Sequence, residues 1–248
     1  MNVDESSDDH VRPVVVMPTY NNAGTLREML ERVEALALPM VVVNDGSTDA
    51  TADRLAEWQS GPRRVAVDVV AHAQNQGKAA ALRSGFARAE ELGYTHAVTI
   101  DTDLQHSPEE IPLLLNAARA QPGALVLGAR RGDREHQPAR RRVARGLANR
   151  LVRWACGRTV ADTQSGFRVY PLELVRALRC RSGHYAYETE MVVRAIRAGR
   201  GVVEVAISGR YLPPGTGVSH FRAGRDSLRW AGLMGRLLAE RVWPGGKR

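Results

Sequence analysis

Short apolar runs alternate with longer amphipathic segments along the first half of the chain. The short runs predict strands, because they are rich in β-branched residues and are bounded by turn-forming residues. The longer segments predict helices, because their apolar residues recur at intervals of three and four. The predicted strands are 14–17, 40–43, 65–71, 97–100 and 125–127, and the predicted helices are 24–37, 50–59, 77–92 and 108–120.

This alternation predicts an α/β fold with a largely parallel central sheet flanked by helices. Ligands of such sheets bind at the carboxyl ends of the strands. We therefore expect functional residues in the loops after Met17, Val43, Ile100 and Leu127.

The second half of the chain has a less regular pattern. It contains a basic segment at 130–153, mixed short elements over 171–221 and an amphipathic helix at 223–242. The polar face of that helix is expected to carry Arg225, Arg229, Arg236 and Glu240, and the apolar face Leu228, Ala231, Met234, Leu237, Leu238 and Val242. Such a helix suits a membrane interface, and it equally suits packing on the protein core or on a partner subunit.

Composition narrows the class of protein. The 248 residues are 44% hydrophobic and 25% charged, as in a globular protein, and the two cysteines do not suit a disulfide scaffold or a zinc cluster. The acidic start does not resemble a secretory signal, and no long apolar stretch predicts a membrane span. We therefore expect a cytoplasmic protein. Much of the net charge of +8 comes from nine arginines in 130–153.

An acidic turn follows the strand at 97–100. Asp101, Asp103 and Gln105 supply oxygen donors of the kind that Mg²⁺ or Mn²⁺ prefers. A solvated turn is the alternative interpretation, because such a short motif also occurs by chance.

Three other strand ends carry polar residues that suit a nucleotide. Asp45 can accept hydrogen bonds from a base or ribose, and Tyr20 can stack on a base. Lys78 lies at a predicted helix N-terminus, where an anion is favoured. Each feature alone also fits an ordinary turn or helix cap.

Together these segments resemble glycosyltransferase family 2, which has the GT-A, Rossmann-like fold. The matching stretches are PTYNN (18–22), VVNDGSTD (42–49), NQGKAAAL (75–82) and DTDLQH (101–106). DTQSGFR (162–168) is similar to a stretch of the dolichyl- and polyprenyl-phosphate mannose or glucose synthase branch. The resemblance covers about residues 13 to 221.

The resemblance implies a donor site and a metal site. It assigns nucleotide-sugar binding to Pro18, Tyr20, Asn22, Asp45, Lys78, Asp101 and Asp103, and a Mg²⁺ or Mn²⁺ ion to Asp101, Asp103 and Gln105. Asn22 departs from the family, which often has an acidic residue there, and so does Asn44, where an aspartate is frequent.

The implied reaction is an inverting transfer from a GDP- or UDP-linked sugar to a polyprenyl phosphate. The residues expected to contact the acceptor phosphate are Arg130, Arg141, Arg210 and His220. The expected catalytic residues are Asp103, Arg130, Arg141, Asp162, Glu188 and Glu190, of which Asp162, Glu188 and Glu190 would supply a base to a hydroxyl acceptor.

The predicted organisation is a lead-in (1–12), one GT-A domain (13–221) and a C-terminal helix with a tail (222–248). Within the domain, 13–128 is the nucleotide-sugar half and 129–221 the acceptor half. A lipid acceptor would bring the enzyme to the inner face of a membrane as a peripheral protein. The alternatives are a family member acting on a hydroxyl of a lipid, pigment or glycan, a catalytically silent nucleotide-sugar binder, and a basic nucleic-acid-binding protein. No nucleic-acid-binding motif supports the last of these.

Overall fold

The computed structural model describes residues 10–130, 139–208 and 223–242, in which seven strands and eight helices are present. The strands are β1 (Pro13–Thr19), β2 (Met40–Asn44), β3 (Val67–Ala71), β4 (His96–Thr99), β5 (Leu125–Arg130), β6 (Arg168–Pro171) and β7 (Val202–Ile207). The helices are α1 (Leu26–Glu34), α2 (Thr51–Ser60), α3 (Lys78–Glu91), α4 (Ile111–Ala120), α5 (Ala139–Cys156), α6 (Leu172–Leu178), α7 (Ala186–Arg197) and α8 (Ala223–Val242). A single 3₁₀ turn, Pro108–Glu110, precedes α4.

The strands form one sheet in the order β3-β2-β1-β4-β6-β5-β7. All neighbouring pairs are parallel except those of β6, which runs antiparallel to both β4 and β5. The largely parallel α/β sheet is therefore confirmed. The antiparallel strand was not predicted, because Arg168 interrupts its apolar run and Pro171 ends it.

Apolar residues cover both faces of the sheet. Along β1, Val14 and Val16 face one core, whereas Val15 and Met17 face the other. Helix α3 packs closely on the first face, because a Cβ atom at Gly85 would lie 2.4 Å from Cγ1 of Val16. The alternation of β1 thus places helices on both sides of the sheet, as the fold requires.

The first described residues join the domain. Val11 is 4% exposed, the Arg12 N–H donates to the Thr95 hydroxyl at 2.8 Å, and that hydroxyl donates to the His10 carbonyl at 3.1 Å. Residues 10–12, which belong to the expected lead-in, thus contact the segment before β4, and the predicted domain bounds stay a prediction.

Helix α8 has the bounds that the sequence predicts, and it packs on the protein itself. Leu233, Met234 and Leu237 are buried against α5 and α7. Leu228 and Val242 of the expected apolar face are instead 74% and 70% exposed. No helix in the described part of the chain is long and apolar enough to cross a membrane.

Candidate active site

The loops with the predicted functional residues meet at one edge of the sheet. Strands β1, β2, β4 and β5 all end there because they are parallel, and antiparallel β6 begins there. The segment that precedes β6 therefore reaches the same edge. A hydrogen bond of 2.7 Å from the Thr99 hydroxyl to the Gly166 carbonyl ties that segment to the end of β4.

Lys78, Asp101 and Glu188 form a charged cluster at this edge, in which Glu188 is buried and the other two are partly buried. The Lys78 ammonium lies 2.8 Å from Oδ1 and 2.8 Å from Oδ2 of Asp101. The same ammonium lies 3.2 Å from Oε1 of Glu188, whose side chain is 2% exposed. Two of the predicted donor residues and one predicted catalytic residue are thus brought together around one cation.

The environment of this cluster shifts the affinity of each group for protons. Burial would lower the pKa of Lys78, but the carboxylates of Asp101 and Glu188 raise it above its ordinary value. Burial alone would raise the pKa of Asp101, and the Lys78 charge holds it below its ordinary value. For Glu188, burial is the larger effect, and the pKa is raised. The ammonium therefore stays charged at neutral pH.

Asp103 and Gln105 lie beyond Asp101 on the same turn. The Gln105 N–H donates to Oδ1 of Asp103 at 3.0 Å, and Leu104 between them has a positive φ of 61°. A left-handed leucine is uncommon, and such strained positions cluster at functional sites. Burial and the nearby Asp101 carboxylate raise the pKa of Asp103 to about 6.

These donors fit a divalent metal ion that is shared with a substrate. Mg²⁺ is commonly held by one or two carboxylates together with the phosphates of its ligand. Asp101 and Asp103 are two carboxylates of this kind. The pKa of Asp103 is raised first by burial and then by repulsion from Asp101, and a cation would relieve that repulsion. Within the described ranges no group of three or more His, Cys, Asp or Glu side chains is arranged to hold a metal ion.

Gly166 makes room for the ion pair. A Cβ atom at this position would lie 2.6 Å from Oδ2 of Asp101 and 2.6 Å from Nζ of Lys78. Only a residue without a side chain lets the backbone approach both groups so closely. This gives a physical reason for glycine in the DTQSGFR stretch.

On the donor side, Asp45 is 3% exposed and organises the segment that leads into α3. Its carboxylate accepts hydrogen bonds from the N–H groups of Gln76 at 2.9 Å and Gly77 at 2.8 Å. His72 Nδ1 lies 2.7 Å from Oδ1 of the same carboxylate. These contacts hold the residues immediately before Lys78, and a contact between Asp45 and a nucleoside stays a prediction.

The remaining predicted donor residues are Pro18 and Tyr20, both partly buried at the end of β1, and Asn22. The Asn22 side-chain amide donates to the Thr102 hydroxyl at 2.9 Å, and its backbone N–H donates to Thr51 at 2.9 Å. Asn22 therefore joins the β1 loop to the acidic turn. Thr102, which is fully buried between Asp101 and Asp103, was not singled out from the sequence.

Arg130 and Asp162 form a second ion pair at the edge. Nε and Nη2 of Arg130 donate to the two oxygens of Asp162 at 2.7 Å and 3.2 Å. Strand β5 ends at Arg130, so this guanidinium lies where the strand meets the ligand edge.

Arg168 is a structural residue that sequence reasoning missed. It is completely buried, and its guanidinium donates 2.7 Å hydrogen bonds to three backbone carbonyls. The carbonyls belong to Thr163, Ser165 and Glu188. Arg168 thus fixes the loop before β6 against the start of α7. The signal in the sequence was a lone arginine within an otherwise apolar run.

Not every predicted residue belongs to this group. Glu190 lies two residues beyond Glu188 on α7 and binds Arg194 at 2.7 Å and Arg236 of α8 at 3.1 Å. Burial would raise its pKa, but the hydrogen bonds from Arg194 and Ser182 lower it. The structure thus does not bring Glu190 together with Lys78 and Asp101.

The side chains of three predicted acceptor residues lie outside the part of the chain that the structure describes. Arg210 and His220 lie outside the described residues. Arg141 lies in the first turn of α5, but its side chain is likewise outside them. Their contact with an acceptor phosphate therefore stays a prediction.

Solved structures share this fold. Glucosyl-3-phosphoglycerate synthase from Mycobacterium tuberculosis, solved with Mn²⁺, UDP-glucose and phosphoglyceric acid, superposes with a TM-score of 0.69. The alignment covers 96% of this chain and 81% of that one at 22% identity. It confirms the GT-A fold.

Two sequence relatives share a higher identity with this chain than that solved structure does. Undecaprenyl-phosphate mannosyltransferase from Micrococcus luteus is 31% identical over 252 residues, which cover 92% of this chain and 99% of the relative. Polyprenol monophosphomannose synthase from Mycolicibacterium smegmatis is 36% identical over 210 residues, covering 79% and 77% of the two chains. The sequence profile of glycosyl transferase family 2 matches residues 14–178. These matches favour an enzyme over a nucleic-acid-binding protein, and the chain belongs to glycosyl transferase family 2.

Proposed function

We propose that this glycosyltransferase moves a sugar from a GDP- or UDP-linked donor to a polyprenyl phosphate, with inversion and with Mg²⁺ or Mn²⁺. The relatives that cover most of the chain support this acceptor, since they are named for undecaprenyl-phosphate mannosyl transfer and polyprenol monophosphomannose synthesis. The structural support is that the carboxylates proposed as general bases are paired with cations.

The carboxylates considered as general bases are already paired with cations. Asp162 is bound through both oxygens to Arg130, Glu188 lies 3.2 Å from Lys78, and Glu190 is bound by two arginines. A hydroxyl acceptor needs a base to remove its proton, whereas a phosphate is already anionic near neutral pH. This pairing is the observation that favours a phosphate acceptor over a hydroxyl.

In the proposed reaction, an acceptor phosphate oxygen attacks the anomeric carbon and the bond from that carbon to the diphosphate breaks. The nucleoside diphosphate leaves with the bonding electron pair. A divalent cation, when bound, supplies charge neutralisation to the diphosphate. The Asp45 network orients the segment before Lys78, and the Arg168 hydrogen bonds hold the loop that carries Asp162.

Arg130 contributes a fixed positive charge at the acceptor end of the site. Its bond to Asp162 sets the plane of the guanidinium, and arginine forks suit phosphate oxygens. Arg141, Arg210 and His220 are proposed to supply further contacts to the acceptor phosphate. Positioning and charge neutralisation therefore replace base catalysis in this proposal.

We further propose peripheral contact with a membrane surface through the outer face of α5. Leu147 and Trp154 on that face are 58% and 57% exposed, although both side chains are large and apolar. Arg150 and Arg153 are exposed beside them. Apolar and basic side chains on one helix face suit an anionic lipid interface. Cosedimentation with anionic vesicles should weaken in the Leu147→Ser, Trp154→Ser double variant.

A transfer assay tests the main proposal. The protein is incubated with Mg²⁺ or Mn²⁺, a panel of GDP- and UDP-sugars and a short polyprenyl phosphate, and products are identified by mass spectrometry. A metal-dependent glycosylated lipid phosphate is the expected product. Donor hydrolysis without a lipid product would indicate a hydroxyl acceptor instead. The absence of both turnover and donor binding would overturn the proposal.

A further inference from the structure

The Lys78 ammonium occupies both oxygens of Asp101, at 2.8 Å each. Asp101 is also one of the residues expected to bind the metal ion. A metal ion that binds Asp101 must therefore either share a carboxylate oxygen with the lysine or displace it. Two cations on one carboxylate repel each other strongly where solvent is scarce, and the Lys78 side chain is only 12% exposed.

Glu188 provides a second partner for the displaced ammonium. Its Oε1 atom lies 3.2 Å from Nζ, so a small rotation of the lysine side chain exchanges one carboxylate for the other. The Glu188 side chain is 2% exposed and lies at the start of α7, where the Arg168 guanidinium holds its backbone carbonyl. This partner is therefore fixed in place.

The surroundings restrict where the ammonium can go. Gly166 lies against the ion pair on one side, since a Cβ atom there would be 2.6 Å from both Nζ and Oδ2. On another side lies Tyr185, the residue immediately before α7, whose ring centroid is 5.6 Å from Nζ of Lys78. Among the described carboxylates, Asp101 and Glu188 are those within ion-pair distance of Lys78.

We propose that Lys78 is a built-in counter-ion that competes with the metal ion for Asp101 and passes to Glu188 when the metal binds. This inference rests on the proposed metal site, and it adds that the lysine sets the affinity of that site. Without donor, the lysine keeps Asp101 neutralised and metal binding weak. The donor diphosphate then adds the negative charge that lets both cations stay.

Titration of Mn²⁺ into the donor-free full chain, followed by calorimetry and by the Mn²⁺ electron paramagnetic resonance signal, tests this directly. Lys78→Met should lower the Kd of Mn²⁺ about tenfold or more, because the competing charge is gone. Lys78→Gln should lower it as well, and its amide still donates to Asp101, so this variant serves if the methionine variant does not fold. Arg88→Gln, which removes a charge from the far end of the same helix, should leave the Kd unchanged.

Glu188 supplies the second half of the test. Glu188→Gln should raise the Kd about threefold or more, because the lysine loses its alternative partner and stays on Asp101. In the Lys78→Met background the same substitution should have a clearly smaller effect, because only the direct interaction of Glu188 with Asp101 then remains.

Three results would overturn the proposal. They are an unchanged or weaker affinity in both lysine variants, an equal effect of Glu188→Gln with and without Lys78, and no Mn²⁺ binding in any variant. The readout is metal binding rather than transfer, so a failed transfer assay leaves it interpretable. Conversely, if the protein transfers the sugar but the Lys78 variants bind Mn²⁺ with unchanged affinity, only this inference is contradicted.

Discussion

Arg130 holds Asp162 through two hydrogen bonds, one from Nε at 2.7 Å and one from Nη2 at 3.2 Å. The pair joins the last residue of β5 to the loop before β6. Asp162 is 1% exposed, so this carboxylate depends on Arg130 for its charge compensation.

Arg130→Lys should reduce kcat/KM for the acceptor about tenfold or more, because an ammonium keeps the charge but cannot form the same two bonds. Steady-state kinetics with varied acceptor and varied donor would show the larger change in the acceptor KM. Arg32→Lys is the matched control, since Arg32 binds Glu109 through Nε and Nη2 at 2.8 and 2.7 Å away from the site. Equal losses in both variants would contradict a role in acceptor binding.

Gly166→Ala should lower transfer about tenfold or more with little loss of stability. The added Cβ meets the ends of two flexible side chains, which move apart and disturb the Lys78–Asp101 pair. Transfer rates and thermal unfolding of the same preparation provide the check. Gly232→Ala on α8, where a Cβ meets nothing within 4 Å, should leave transfer unchanged. Full activity of the Gly166 variant would argue against a functional ion pair.

Arg168→Met should destabilise the fold by about 4 kcal/mol, because three buried carbonyls lose a charged donor. Urea unfolding measures this loss. Arg158→Met removes a guanidinium that donates to one carbonyl, that of Val202, at 2.9 Å, and it should cost about 1 kcal/mol. Similar losses in the two variants would show that the Arg168 carbonyls find other donors.

Asp103→Asn should abolish transfer while the protein stays folded. The side chain accepts a hydrogen bond from the Gln105 N–H, and its ionised form is disfavoured by burial and by Asp101. Since the folded pKa of about 6 exceeds the unfolded value, ionised Asp103 opposes folding above that pH. The unfolding free energy at pH 7.5 should therefore not fall. Asp53→Asn at an exposed position of α2 is the control. Retained transfer in the Asp103 variant would remove Asp103 from the site.

The contribution of His106 to stability should decrease at mildly acidic pH. Burial lowers its pKa to about 4, whereas an unfolded histidine titrates near about 6.5. The stability contributed by His106 is therefore fully present above pH ~6.5 and is lost as the pH falls toward ~4. In that range the unfolded chain binds a proton at this histidine that the folded chain does not. The contribution is roughly 3 kcal/mol.

Urea unfolding at pH 7.5, 5.5 and 4.5 checks this expectation. His106→Gln should flatten the pH dependence, and His10→Gln at an exposed position should preserve it. An unchanged slope in the His106 variant would refute the assignment.

The sequence by itself determined the strands, helices and loops of the first half of the sheet. Val14, Val15, Val16 and Met17 are specified by local pattern, because a strand buried on both faces needs a continuous apolar run. Parallel topology then implies that Asp45 and Asp101 meet at one edge. The resemblance in sequence motifs added the expected roles of these residues, and the match of the family 2 profile to residues 14–178 confirms the family.

Only the tertiary structure decided which charges meet. Strand β6 enters the sheet between β4 and β5, and its direction carries Gly166 to Lys78 and Asp101. The partner of a buried charge is chosen by whichever distant carboxylate or carbonyl shares its low-dielectric space. Sequence spacing does not encode this choice. Helical geometry already turns Glu188 and Glu190 of α7 to different faces, and the tertiary structure decides their partners: Glu188 faces Lys78, and Glu190 joins α7 to α8.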